Sequence, residues 1–340
     1  MSAAPAAGVL PTREVRSTGV RLTSLGYGAA QAGNLYRATT DEETAEALGT
    51  AWSAGVRYVD TAPHYGLGLS ERRVGAVLRD LPRDELVVST KVGRLLVPSP
   101  ETADRRDSDI FDVPAATRRE WDFSRDGVLR SLEASLERTG LDRVDVVYLH
   151  DPDDHEEQAF AEAVPALLEL RDQGVVGAVG AGMNQSAMLA RFVRETDVDV
   201  VMCAGRFTLL EQPALADLLP AALDRGAAVV VAGVYNSGLL ARETVPDDAT
   251  YDYAQAPAAL LDRTRAVARA CADHGVTLPQ AAVAYVRTHP AVASTVVGLR
   301  TADQVRQAVD RHTAVVPPEL WTDLVDRGLL APEAHPDAFA

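Results

Sequence analysis

A chain of 340 residues carries a formal charge of −16, with 49 acidic against 33 basic residues, which argues against nucleic acid and anionic membrane surfaces as partners. No run reaches the roughly 18 uninterrupted apolar residues of a membrane span, and the opening MSAAPAAGVLPTREVR lacks the basic start and apolar stretch of a secretory signal. The two cysteines, Cys203 and Cys271, are far apart, form neither a metal motif nor a disulfide framework, and suit a reducing, cytoplasmic setting.

In chain order, REVRSTGVRLTSLGYG predicts a short hairpin leading into a first strand near residues 25–28. A helix follows over 41–54, with Thr40 as its N-cap. The strand VRYVD ends at Asp60, and Ser70 is expected to cap a short helix through ERRVGAVL. ELVVSTK is a third strand ending at Lys91. Residues 92–122 are polar and without clear periodicity, which predicts a long loop, functional or disordered. The helix over 126–139 sets Val128, Leu129, Leu132 and Leu136 on one face and stops at Gly140. RVDVVYLH, a fourth strand, ends at His150. The alternation then continues through VVGAVGAG, VDVVMCA, AAVVVAGV and ASTVVG, with helices over 163–173, 185–195, 213–224, 258–274, 278–289 and 301–312. From Pro317 a terminal helix and a frayed end are expected.

Eight strand–helix units in one series predict an α/β fold, a (β/α)8 TIM barrel with an N-terminal hairpin and long βα loops, as a single domain over 1–340. A doubly wound sheet is the alternative. It normally carries a glycine-rich phosphate turn after its first strand, and GYGAAQAGN lacks the GxGxxG spacing.

Three strands end in an ionisable residue: Asp60, Lys91 and His150. Neighbouring strands of a parallel barrel bring their C-terminal ends together, where barrel active sites lie. Tyr65 follows Asp60 in APHYGLGLSE, where Gly66 and Gly68 allow the loop to fold back over the mouth. A phenol titrates near about 10, and a nearby ammonium favours its phenolate. Asp60 is expected to hold Lys91 charged, Tyr65 to exchange a proton with an oxygen, and His150 to orient that oxygen. Hydride needs a carrier, so NAD or NADP is implied. Lys91 is the single lysine of the chain, which points to a need for a compact ammonium where a guanidinium fails. The run His150, Asp151, Asp153, Asp154, His155 lacks an HxH pair and sits on one loop, so no metal is expected.

At these residues the chain resembles the aldo-keto reductase superfamily: VDTAPHYG supplies that family's Asp and Tyr, STK its Lys and YLHDPD its His. The resemblance implies a barrel that binds NAD(P)(H) in extended form without a Rossmann fold. YGLGLSE, WDFSRDGVLRSLEASLERTGLDRVDVVYLHDPD, GAGMNQ and GVYNSGLL resemble its sugar-dehydrogenase branch, that of the L-fucose and D-threo-aldose 1-dehydrogenases. That branch implies oxidation of an aldose at C1 to the lactone, or reduction of a related carbonyl, by a monomer or small homo-oligomer. A carbonyl reductase of secondary metabolism and a non-catalytic nucleotide-binding regulatory subunit are the alternatives.

The same resemblance implies that Asn184 holds the carboxamide, with Arg206 standing where a glutamine is common. Tyr235, Asn236, Ser237, Gly238 and Leu239 are expected to cradle the pyrophosphate through backbone N–H groups. Gly28, Gly298, Arg300 and Gln304 complete the cofactor set, Arg300 as a candidate partner for a 2′-phosphate. Tyr27, His64 and Trp121 are expected on the substrate side, with Arg94, Asp107 and Asp122 as further hydrogen-bonding groups.

Overall fold

Strands rich in valine on both faces need cover on both faces, and a closed ring of parallel strands inside a jacket of helices provides it. The computed structural model describes residues 8–251 and 254–339; residues 1–7, within the opening read above, lie outside the described residues. The eight barrel strands are β1 (Leu25–Gly28), β2 (Tyr58–Asp60), β3 (Val87–Val92), β4 (Val146–His150), β5 (Ala178–Met183), β6 (Val200–Ala204), β7 (Ala228–Ala232) and β8 (Val292–Gly298). Each pairs with its neighbour in sequence, and β8 closes on β1 with Gly298 opposite Gly28.

Alternation along the strands separates two cores. Tyr58, Val146, Tyr148, Ala178, Val200, Met202 and Val230 pack together inside the barrel. Val59, Val88, Val147, Leu149, Val201 and Val229 face the helices. The hairpin Thr12–Glu14 with Arg21–Thr23 places Val15 and Leu22 in the inner cluster, so it plugs the barrel's N-terminal end. No helix among the described residues is long and apolar enough to cross a membrane.

Local chemistry explains the helix starts. Asp41–Ser53 opens on a capping box of Thr40 and Glu43. Ser70 is not the cap expected: the helix is Leu69–Leu78 with Gly68 before it, and the Ser70 hydroxyl instead donates to Ala29 O at 2.7 Å. The segment after β3 is more ordered than its polarity suggested. Arg94–Pro98 pairs antiparallel with Thr117–Trp121, forming a hairpin beside the barrel mouth. The C-terminal end is docked, not frayed, because Phe339 packs on His289 at a ring distance of 4.9 Å.

Gly26 on β1 makes room for a phenol. A Cβ there would lie 2.7 Å from Tyr58 Cδ1 and 2.9 Å from Val296 Cγ2. Gly26→Ala is therefore expected to lower stability by about 1–3 kcal/mol through overpacking, measured by denaturant titration. An unchanged midpoint would show that the inner core yields at this point.

Candidate active site

The ends of β2, β3 and β4 deliver Asp60, Lys91 and His150 side by side, as their order in sequence requires. The Tyr65 loop reaches them because its backbone packs directly on the turn after β1. A Cβ on Gly66 would lie 2.2 Å from Gly33 O, and one on Gly33 would lie 2.5 Å from Tyr65 C. Leu67 and Gly68 continue the left-handed turn, with φ of 50° and 79°.

Lys91 is 2% exposed, and its ammonium donates to Asp60 Oδ2 at 2.7 Å, Asp60 Oδ1 at 2.9 Å, Thr61 O at 3.1 Å and Tyr65 Oη at 3.1 Å. Burial works against the charge, but the fields and hydrogen bonds of Asp60 and Tyr65 together hold its pKa above the ordinary value. Because Lys91 donates to the Tyr65 oxygen, the phenolic hydrogen is left for a ligand. Burial pushes the Tyr65 phenol above its usual range; the Lys91 charge opposes this without overcoming it. The ammonium thus acts in the expected direction, but burial outweighs it, and Tyr65 rests protonated.

The His150 imidazole makes no hydrogen bond within the described residues: Nδ1 is buried without a partner and Nε2 is 3.7 Å from Asp151 Oδ2. Burial, then Arg94 and Lys91, holds its pKa well below the usual imidazole value. His64 faces it with ring centroids 5.4 Å apart, and burial followed by Arg94 and Arg119 lowers its pKa to about 2. Both imidazoles are neutral at ordinary pH, so they offer hydrogen bonds and no charge.

The mouth is polar on its outer side. Arg94 donates to Asp151, which follows His150 with a φ of 46°, and the Arg94 guanidinium stacks 4.2 Å over Trp121. Trp121 is 43% exposed at the rim. Arg119 clamps Asp107 with two bonds of 2.7 Å and donates to His64 O at 3.0 Å, so Asp107 serves the hairpin. Asp122 likewise bonds Ser124 and Arg130. Tyr27 is misplaced by the sequence reading. It is 1% exposed and packs among the helices, because Gly26 and Gly28 take the inward positions of β1.

A cleft of about 410 Å³ runs along the ends of β5 to β8, lined by Gln31, Asn184, Arg206, Tyr235, Asn236, Ser237, Gly238 and Gly298 among others. Gly298 lacks a side chain where Gln31 Nε2 would lie 2.5 Å from a Cβ. The side-chain oxygens of Gln31 and Asn236 are buried without partners, two acceptors that a ligand's N–H or O–H groups would satisfy. These acceptors and the nearby Arg206 charge fit a nicotinamide dinucleotide, with its amide, hydroxyls and pyrophosphate.

Other cofactor expectations are corrected. Gly238 N–H and Leu239 N–H already donate to Tyr235 O and Asn236 O, and the Leu239 side chain is in the core. The 235–239 loop therefore offers side chains more than a cradle of backbone donors. Gly28 pairs with Gly298 outside the lining. Arg300 is buried and donates to Leu35 O, Arg37 O and Thr39 Oγ1, while Gln304 Oε1 accepts from Arg300 N at 2.8 Å. Arg300 thus pins the 35–39 segment and is not poised for a 2′-phosphate. Gln31 and Asp151 were missed as site residues; nothing in their local sequence distinguishes them. Among the described residues no three His, Cys, Asp or Glu are grouped to hold a metal.

Residues 24–325 match the Aldo/keto reductase family. The chain is similar to a D-threo-aldose 1-dehydrogenase from a Pseudomonas species, 48% identical over 320 residues, 92% of this chain and 96% of that protein. It is also similar to a pyridoxal 4-dehydrogenase from Microbacterium luteolum, 35% identical over 341 residues, 94% of this chain and 98% of that protein. Its fold is similar to that of the glycerol dehydrogenase AKR11B4 from Gluconobacter oxydans, with a TM-score of 0.76 at 22% identity, covering 93% and 95% of the two chains. With a family match that spans the whole barrel and a relative at 48% identity, the chain belongs to the aldo/keto reductase family and is an NAD(P)-dependent oxidoreductase.

Proposed function

We propose that this enzyme oxidises the anomeric hydroxyl of an aldose of the D-threo type, such as L-fucose, to the lactone. In its phenolate form, the minor form at neutral pH because burial raises its pKa, Tyr65 takes the hydroxyl proton from the C1 oxygen as the C1–O bond becomes a carbonyl, so oxidation is expected to quicken as pH rises. A nicotinamide held in the cleft would supply hydride acceptance. Lys91 stabilises the charge that develops on Tyr65, Asp60 holds Lys91 in place, and neutral His150 hydrogen-bonds the C1 oxygen. Asn184, Arg206, Asn236, Ser237 and Gln31 would hold the cofactor in the cleft. In the reverse direction Tyr65 donates its proton to a carbonyl oxygen.

The observation that carries the substrate class is the ion pair of Arg94 and Asp151 beside Tyr65 and His150. It offers donors and acceptors to neighbouring sugar hydroxyls, and the 48% identical relative is a D-threo-aldose 1-dehydrogenase. The test is nicotinamide reduction with NAD and with NADP across aldoses epimeric at C2 and C3, with pyridoxal alongside, and nicotinamide oxidation from NADH and NADPH with simple carbonyls. Preferential oxidation of D-threo aldoses is expected. Turnover of pyridoxal or simple carbonyls alone would reject the sugar assignment.

Arg94→Met is expected to raise the aldose KM by about 10- to 100-fold, the range for a lost charge-assisted hydrogen bond, with cofactor affinity unchanged. Steady-state kinetics beside cofactor fluorescence titration separates the two. An unchanged KM would remove the pair from substrate binding.

A further inference from the structure

Below the site lies a second polar layer that the reaction as described does not use. Tyr58, Ser89 and Tyr148 each stand two residues before Asp60, Lys91 and His150 on β2, β3 and β4. A strand repeats its facing every two residues, so the three project into the barrel one layer beneath the reacting groups. All three are fully buried. Their hydroxyls form one line: Tyr148 Oη to Tyr58 Oη at 3.2 Å, Tyr58 Oη to Ser89 Oγ at 3.1 Å, and Ser89 Oγ to Asp60 Oδ1 at 2.7 Å.

The direction of every hydrogen in this line is fixed by its end. The Asp60 carboxylate, paired with Lys91, only accepts, so Ser89 donates to it. Ser89 must then accept from Tyr58, and Tyr58 from Tyr148. Three hydroxyl dipoles thus point their positive ends towards one carboxylate. Burial foremost raises the pKa of both Tyr58 and Tyr148 above the ordinary phenol value, so neither competes for charge. The apolar residues around them, Val146, Val200 and Val296 among them, leave these dipoles weakly screened.

We propose that the Tyr148–Tyr58–Ser89 line is a positioning device that sets the strength of Tyr65 as a base by sharing the charge of Asp60. Asp60 and Lys91 act on Tyr65 with opposite sign. Donors on the far side of Asp60 draw its negative charge inward and leave more of the Lys91 field for the phenolate. Without them Lys91 is held harder by Asp60, and its bond to Tyr65 weakens. The charged and titratable groups facing Tyr65 are Lys91 and Asp60 below, His150 and Asp151 from β4, Arg94 from the hairpin and His64 on its own loop. The two imidazoles stay neutral, and the Arg94–Asp151 pair is untouched by changes in the layer beneath.

The test is the pH profile of kcat for oxidation in Tyr58→Phe, Tyr148→Phe and the double variant, with whichever substrate the wild type turns over. It therefore stands whether or not the sugar assignment does. Both phenylalanines keep the packing. Tyr58→Phe is expected to move the limb on which kcat rises with pH up by about 1 pH unit, a tenfold loss of kcat at a fixed lower pH, with KM little changed. Tyr148→Phe moves it the same way by less. The double variant matches Tyr58→Phe alone, because a line already cut cannot be cut again. A limb that stays at the wild-type pH in both single variants, whatever their thermal stability, would overturn the proposal. So would additive shifts in the double variant. If Tyr58→Phe does not fold, the Tyr148→Phe profile decides.

Discussion

Tyr65→Phe loses turnover by about 10²–10⁴, the usual worth of a positioned general acid or base, while binding NAD(P) as tightly as the parent. The substitution deletes one oxygen. That oxygen accepts from Lys91 Nζ at 3.1 Å. The ring, tilted against Phe111 with centroids 6.1 Å apart, keeps its packing. The cofactor cleft does not include Tyr65, so affinity measured by fluorescence titration is expected to be intact. Turnover within tenfold of the parent would remove Tyr65 from its role and return the search to His150 or a bound water.

Lys91→Arg has the second largest effect, a loss of kcat of about 10² or more, although charge is conserved. The ammonium is a point from which hydrogens diverge to two Asp60 oxygens, Thr61 O and Tyr65 Oη, all within 3.1 Å. A guanidinium spreads its donors over a planar fork and cannot converge on that set. Single-turnover kinetics at saturating cofactor reads the chemical step directly. A nearly wild-type rate would show that any cation serves, and the meaning of the lone lysine would be lost.

The barrel was legible because its signal repeats. Eight short strand-like runs, most of them rich in valine, separated by helical stretches leave few topologies open, and the observed order is sequential around the ring. Asp60, Lys91 and His150 were legible because each stands at, or one residue short of, the end of a strand. What failed was side-chain direction at ends where glycine hides the alternation: Tyr27 lies between Gly26 and Gly28, and turning outward sends it into the helix layer. Arg300 failed for a different reason. An arginine after β8 reads as a phosphate ligand until the carbonyls of Leu35 and Arg37 are seen to surround it, and no local pattern encodes a contact with a segment more than 260 positions earlier in the chain. The hairpin over 94–121 was invisible because its strands, RLLVP and TRREW, pack one face only and carry too few apolar residues for a period to show.

The solitary ε-amine has a practical corollary. Isotope enrichment of lysine alone gives a protein with a single side-chain nitrogen resonance, and that nucleus sits 2.7 Å from a carboxylate and 3.1 Å from the phenol that works on the substrate. Its chemical shift and hydrogen-exchange rate would follow events at the reacting oxygen without any assignment step. Acylating dyes, by contrast, find this amine shielded, so under native conditions they leave it unmodified.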